Sequence, residues 1–406
     1  MLTRRQILLG SLATAGGTAG VAAASGAAVA ESYKRGFAEA AKLGETKVAK
    51  ASTKWTGAHQ AGIEQRAQSH TNFVALDLKS GITKDDMLRW MVLLTDDLAN
   101  LAEGKPVLAD AHPEIIVGPA NLSVTVGFGP SLFKKLGLEA KMPAGFAALP
   151  KFKIDQLDAN FSDGDVLLHV GADDQLVLAH VTRILLRDSE TFGDVRWIQA
   201  GFTNAVGSVP EGQTQRNLMG QVDGTDNPEF GSDNFAKQVW ITDGPEWAVG
   251  GTQLVLRRIK MNLDTWDMLG RGQKEEVIGR KLDSGAPLGG TAERDPVDFA
   301  AKKANGLEVI APFAHIRRAH NTNLDERFFR RPFNYQASQA EKPGQLESGL
   351  LFAAYAKNLA VQFVPVQKRL AEFDLLNQWT TPVGSAVFAI AGGIAPGQII
   401  AEELFA

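Results

Sequence analysis

The sequence predicts an α+β protein of two successive halves, each an antiparallel sheet with flanking helices. Three observations predict it. Apolar runs with strand character outnumber the helical segments and do not alternate regularly with them, which argues against a doubly wound parallel sheet. A loose strand, helix, strand, helix, strand order recurs in the second part of the chain, without visible sequence similarity to the first. The 406 residues, 44% of them hydrophobic, suffice for one large domain or two of ordinary size.

At the amino terminus, Arg4 and Arg5 precede an uncharged Ala/Gly-rich stretch that ends in Ala28-Val29-Ala30 before Glu31. A charged pair, a weakly apolar middle and an Ala-x-Ala site read as a twin-arginine export signal over residues 1–30. An uncleaved membrane anchor is the alternative by length, but so much Ala and Gly with so little Leu or Phe makes a poor span. This route carries proteins already folded, often with a cofactor inserted first, so a periplasmic or extracellular cofactor protein is expected. Residues 31–55, rich in Ala, Lys and Glu without an apolar stripe, read as a mobile tether.

The first half is assigned to residues 56–205. Phe73 to Leu78 has strand character, and Lys84 to Leu101 carries Met87, Trp90, Met91, Leu94 and Leu98 at helical spacing. A strand at Leu122 to Phe128, a short helix at Ser131 to Leu136 and a strand at Val166 to Val170 follow. A helix from Asp174 to Arg187, capped by Asp173 or Asp174, and a strand at Trp197 to Phe202 complete this half. The second half, 206–406, is expected to hold strands at Gln253 to Arg258, Gly349 to Tyr355 and Ala386 to Ile390. Its helices are expected at Asp264 to Leu269 and Phe363 to Phe373.

Charge and composition exclude several functions. The 42 basic and 46 acidic residues give a net charge of -4, and no cationic run forms the stripe that nucleic acid requires. The absence of cysteine excludes disulfides, thiolate-bound zinc, iron–sulfur clusters and thiolate-ligated haem.

None of the seven histidines forms a zinc pair on a helix. His169 and His180 read as core or surface residues. His315 differs, because Ala311-Pro312-Phe313-Ala314 leads from an apolar stretch into His315-Ile316-Arg317-Arg318-Ala319-His320. An imidazole at the edge of an apolar cavity beside guanidinium groups is what haem requires for its iron, its face and its propionates. A solvated arginine face is the other reading. In Arg216-Asn217-Leu218-Met219-Gly220-Gln221-Val222-Asp223-Gly224-Thr225-Asp226-Asn227-Pro228, two glycines bracket an Asp. The backbone can turn tightly there and approach a flat ligand. An ordinary Asp-Gly turn and a calcium loop are the alternatives, the latter without the closing Glu of an EF-hand.

Gly220 to Gly224 resembles the Gly-x-x-Asp-Gly signature of dye-decolorizing peroxidases, within the longer pattern Arg-Asn-Leu-x-Gly-x-x-Asp-Gly-Thr-x-Asn-Pro. Gly57 to Ile63, Leu122 to Leu132, Gly279 to Leu288, and Gly349 to Tyr355 followed by Val366 to Leu370 resemble further family motifs in the same order. The similarity is greatest to the exported twin-arginine branch, which includes peroxidases linked to ferrous-iron uptake. The resemblance implies two ferredoxin-like domains, arranged as in dimeric α+β barrels, with haem b held mainly by the second. It places the iron ligand at His315, the acid–base residue at Asp223 and the distal arginine at Arg330, with Arg331 behind it. Relatives often continue the proximal segment as Asn-Pro-Arg or His-Pro-Arg, where this chain has His320-Asn321-Thr322. Arg216, Arg317 or Arg318 is therefore expected to supply charge to the propionates, beside backbone approach at Gly220 and Gly224. Arg331 in place of Arg330, and His320 in place of His315, remain alternatives.

The implied reaction is peroxide-dependent oxidation of bulky organic substrates. Heterolytic O–O cleavage needs a proton moved from one oxygen to the other, which Asp223 can do, while the fixed charge of Arg330 stabilises the departing oxygen. A carboxylate, with an unperturbed pKa of about 3.9 against about 6.5 for imidazole, stays basic in acid, so an acidic optimum is expected. Tyr335, Trp240, Trp247 and Trp266 are candidates for passing electrons, with packing as their plainer role. Haem handling or iron acquisition beside an iron-uptake partner is the alternative function, and a homo-oligomer is open. A chlorite-dismutase-like activity is disfavoured by the Asp-containing signature.

Overall fold

The computed structural model describes residues 47–406 except 109, 117, 211, 322 and 340–343. The export signal and most of the expected tether lie outside these residues. The last part of that tether holds to the body. After a helical turn at Lys47–Lys50, Thr53 donates to Asn121 Oδ1 at 2.8 Å and Trp55 packs on the first core. Among the described residues, no helix is long and apolar enough to cross a membrane.

The first half runs β1 (His70–Leu78), α1 (Lys84–Leu101), β2 (Ser123–Phe128), α2 (Pro130–Leu136), β3 (Val166–Ala172), α3 (Gln175–Ser189) and β4 (Gly193–Phe202). Helix α1 starts where Thr83 and Asp86 form a reciprocal capping box. Its Met87, Trp90, Met91, Leu94 and Leu98 are all buried, each stabilising the fold by about 1.5–3 kcal/mol. Asp174, not Asp173, caps α3, accepting from the N–H groups of Leu176 and Val177. Asp173 instead pairs with Arg66 at 2.6 Å and accepts from Ser69 N–H.

The second half contains α4 (Asp233–Val239), β5 (Thr252–Met261), α5 (Leu263–Asp267), α6 (Arg271–Ile278), α7 (His315–Ala319), β6 (Phe329–Arg330) and β7 (Phe333–Ser338). It continues with β8 (Leu346–Ala356), α8 (Leu359–Phe373), β9 (Thr380–Ile390) and α9 (Glu402–Phe405). All pairings are antiparallel. The first half lies in the order β2-β3-β1-β4 and the second in the order β7-β8-β5-β9, so the two share one topology. Strand β7 was absent from the sequence reading because its outward positions are polar and Arg331-Pro332 interrupts the run.

The halves close into one barrel through two short seams, Gly127↔Ile390 with Phe128↔Ala389, and Phe202↔Asn334. Its interior holds Phe73, Leu167, Leu254, Leu256, Phe333, Tyr335, Leu351, Tyr355 and Phe388. Alternation along the strands sends Val74, Leu76, Val124, Val126, Leu168 and Val170 outward into the core shared with α1 and α3. His169 is inside the barrel, stacked on Phe73 at 4.0 Å. Burial and then the charge of Arg331 hold its pKa well below the ordinary value, so it is a neutral packing residue.

Candidate active site

Outside the barrel, beside the second half, lies a cavity of about 800 Å³. Its lining comes from the loop 217–229, from residues 278–280 and 293–297, from α7 and the segment after it, from β6 and β8, and from α8. Phe352, on the outward face of β8, contributes to the wall with Ile278, Ile316, Phe328, Val366, Leu370 and Leu376.

Strand geometry decides which arginine faces this space. Arg330 pairs with Ala354 and Phe333 with Leu351, so β6 and β7 run along β8 in one continuous register. Successive side chains point to opposite faces. Phe329, Phe333 and Tyr335 fill the barrel, Arg331 points inward with them, and Arg330 points outward to the cavity. Arg331 is buried, with its guanidinium bonded to the carbonyls of Ile63, Gln65 and Arg66 and to Gln68 Oε1. Burial pushes its pKa down to about 10.

Arg330 Nη1 lies 3.0 Å from Asp223 Oδ1. Its backbone is clamped by Asn227, whose Nδ2 donates to Arg330 O at 2.7 Å and whose Oδ1 accepts from Arg330 N–H at 3.0 Å. Asn217 Nδ2 approaches Asp223 Oδ2 at 3.5 Å. The signature loop therefore carries the carboxylate of Asp223 and, through Asn227, holds its cationic partner. Gly224, at φ 135°, gives this loop a turn open to glycine, and it lines the cavity. Arg280 sits nearby. Burial, and then the charge of Arg330, lower its pKa, against Glu293 and Asp226.

His315 opens α7. Its Nδ1 is 2.6 Å from Asp374 Oδ2, and Asp374 is itself fixed by accepting from Leu376 N–H at 2.9 Å. With Nδ1–H donated to the carboxylate, Nε2 carries the free lone pair, and among the described residues no protein group bonds it. Burial disfavours the imidazolium, but the charge and hydrogen bond of Asp374 outweigh it and raise the pKa. Arg330 and Asp223 are close enough that their charges also act on this ring, with opposite signs. The next residue, Ile316, requires Gly279, because a Cβ there would sit 2.7 Å from Ile316 Cγ1 and the backbone is at φ 90°.

Four expected cofactor residues lie elsewhere. Arg216 donates to the carbonyls of Gly220, Leu282 and Asp283 and does not line the cavity. Arg317 is held by Glu308 at 2.9 Å and by Phe299 O, and Arg318 by Arg369 O at 3.3 Å. Gly220 has a positive φ but is not at the cavity wall. Each arginine is turned toward carbonyls or a carboxylate that the fold brings beside it, Leu282 and Asp283 for Arg216 and Arg369 for Arg318, which charge density along the sequence could not show. His320 lines the cavity but is exposed and packs edge-on to Phe299 at 5.0 Å, without a carboxylate partner. The residues missed by sequence reasoning are Asp374, Asn227, Arg280, Arg327 and Phe352. Asn227, Arg280 and Phe352 had a signal, their places in stretches that resemble family motifs, whereas Asp374 and Arg327 had none.

The arrangement fits haem. An imidazole with one nitrogen held and the other free meets the need for an axial ligand. The apolar wall suits the porphyrin face, and the carboxylate and guanidinium of Asp223 and Arg330 form a polar site of the kind that activates peroxide. Among the described residues, no group of three or more His, Asp or Glu could hold a metal ion by itself. A second hollow, about 630 Å³ near His59, is lined by Lys54, Glu64, Arg66 and Asp173, of which Arg66 and Asp173 pair with each other. The His59 ring there stacks on Trp240 at 3.7 Å. Trp247 and Trp266 donate to the carbonyls of Lys141 and Met219 and Tyr335 to Glu347, all from buried positions.

Residues 60–203 match the family described as Dyp-type peroxidase, N-terminal, and residues 214–395 match Dyp-type peroxidase, C-terminal. The chain is 37% identical over 364 residues to a dye-decolorizing peroxidase of Thermobifida fusca (86% of this chain, 84% of the relative). It is 34% identical over 357 residues to a deferrochelatase of Yersinia pestis (84% of this chain, 81% of the relative). The crystal structure of a DyP-type peroxidase from Cellulomonas bogoriensis superposes with a TM-score of 0.85 at 46% identity, covering 88% of this chain and 99% of that one. With its fold and both of its halves matched, the chain belongs to the Dyp-type peroxidases, haem b-dependent oxidoreductases.

Proposed function

We propose that this chain uses hydrogen peroxide to oxidise dyes and other bulky organic reductants, with His315 as the haem ligand and Asp223 and Arg330 activating peroxide. The observation that carries the reading is that two dyads, Asp223–Arg330 at 3.0 Å and His315–Asp374 at 2.6 Å, line one cavity or stand directly behind its wall.

When bound, the haem supplies the redox chemistry and the iron that peroxide meets. Asp223 takes the proton from one peroxide oxygen and delivers it to the other, which leaves as water. Arg330 keeps a permanent positive charge beside the oxygen on which negative charge develops, and Asn227 holds that charge in place. Asp374 fixes the His315 tautomer and orientation and makes the imidazole more electron-rich. A carboxylate base favours activity in acid, and this expectation is part of the proposal.

The shared strand order of the two halves supports reading each as a ferredoxin-like unit. Export by the twin-arginine route, with a periplasmic or extracellular location, rests on Arg4, Arg5 and Ala28-Val29-Ala30. Amino-terminal sequencing of the exported protein should find Glu31 first. A second reading, release of iron from haem beside an uptake partner, is favoured by the 34% identity to a protein named deferrochelatase.

One assay separates the two. The haem-loaded protein is mixed with an anthraquinone dye, with and without peroxide, while dye absorbance and metal-free porphyrin fluorescence are followed. Peroxide-dependent bleaching with the iron retained supports the peroxidase. Porphyrin fluorescence that rises without dye loss supports iron release instead.

A further inference from the structure

We infer that Arg327 anchors a propionate of the bound porphyrin and thereby sets its orientation in the cavity. This assignment rests on the haem reading above.

The cavity and its surroundings are rich in arginine, and nearly all of it is engaged. Arg330 is paired with Asp223, Arg280 donates to the carbonyls of Gly285 and Glu293, and Arg369 binds Glu326 and Asn321. Arg317, Arg318 and Arg331 each have an unpartnered Nε, yet each bonds through a terminal nitrogen. Arg327 is different. It lines the cavity and is half-buried, its Nε is shut off from solvent, and among the described residues no hydrogen bond or ion pair engages its guanidinium. Arg294 also lines the cavity with no partner among the described residues, but it is exposed, so its guanidinium is open to solvent and needs no buried anion.

A cation with a dry, unpartnered donor is costly unless an anion reaches it. The backbone of Arg327 is not free to carry the side chain away, because its carbonyl accepts from Gln362 of α8 and the adjacent Phe328 packs against Phe363. A fixed guanidinium beside an apolar cavity is suited to a carboxylate, which it can take through two parallel hydrogen bonds. The porphyrin's propionates are the carboxylates such a cavity would receive. The charge expected of Arg216, Arg317 and Arg318 is thus supplied from the segment just before β6.

The test compares iron protoporphyrin IX with its dimethyl ester, which lacks free carboxylates. Dissociation of each into detergent micelles is followed by the Soret band, for the wild type, Arg327→Leu and Arg327→Lys. The wild type is expected to lose the ester about tenfold or more faster than haem, the size of a charge-assisted hydrogen bond. Arg327→Leu should lose haem faster by a similar factor and bring the ratio close to one, and Arg327→Lys should restore part of it. The melting temperature should fall in Arg327→Leu only when haem is bound, since the apoprotein makes no bond to this side chain. A full wild-type ratio in Arg327→Leu overturns the assignment. A wild type that binds neither porphyrin overturns the haem reading itself, an outcome visible before any variant is made.

Discussion

In the first half the outer face of the sheet is sealed by α1 and α3, whereas the second half, with the same strand order, leaves a cavity between its sheet and α8. The sealed face presents Val74, Leu76, Val124 and Val126 to Met87, Trp90, Met91 and Leu94. The open face presents Phe352 and Arg330 to a space walled on the far side by His315, Val366 and Leu370. The difference lies in the connections. In the first half the segment from β1 to β2 contains one long amphipathic helix. In the second, the segment from Asn262 to Pro332 spends its length on short helices and loops that deliver His315, Arg280 and Arg327 to the cavity rim. A shared scaffold has thus been divided into a half whose outer face is sealed and a half that keeps a cavity.

Trp90→Ala should have the largest effect and leave the chemistry alone. Removing a fully buried indole stacked on Phe192 at 5.4 Å should cost about 3–5 kcal/mol of stability. Denaturant unfolding should show the loss while the Soret band of the remaining folded protein is unchanged. An altered haem spectrum would break the division of labour between the halves.

Arg330→Leu tests the opposite arm. The reaction with peroxide should slow by about 10²–10³-fold, with haem content and unfolding midpoint close to wild type. Asp374→Asn should have a smaller effect, about 10–100-fold in haem retention or peroxide rate. Its signature is a shift in the iron–histidine stretching frequency, measured by resonance Raman on the reduced protein. An unshifted frequency would mean that Asp374 does not tune His315.

The smallest effect concerns acid stability, again in the sealed half. Burial opposes ionisation of Asp110, but hydrogen bonds from His180 and from the His112 backbone prevail and hold its pKa below the ordinary value. The charged carboxylate therefore stabilises the fold above the unfolded-state pKa, and this contribution is lost as pH falls through the lower folded value. Asp110→Asn should flatten the acid side of the stability profile, measured by thermal melts between about pH 5 and 2. An unchanged slope would remove Asp110 from the account.

Much of the sealed half was legible in the sequence because local signals agreed there. The capping box at Thr83 and the stripe from Met87 to Leu98 place α1 to the residue. In the open half, α4, α6 and α7 are short and held by tertiary packing, which periodicity does not reveal. Motifs in the sequence pointed to Asp223, Arg330 and His315, and the fold brings these three to one cavity. Asp374 lies 59 residues from the histidine it orients, so no local pattern connects them. Charge density pointed to Arg216, Arg317 and Arg318, which stand in dense motifs but turn to carbonyls and to Glu308 rather than to the cavity. The choice between Arg330 and Arg331 needed only the period of a strand, but β6 and its register were not visible without β8.

The central claim is that Asp223, paired with Arg330, moves the proton that peroxide cleavage requires. Stopped-flow mixing of the haem-loaded protein with one equivalent of hydrogen peroxide, wild type against Asp223→Asn, tests it most directly. The account predicts that the resting Soret band is retained in Asp223→Asn while its peroxide-induced change slows by about 10²–10⁴-fold. A variant that reacts at the wild-type rate across the acid range would contradict it.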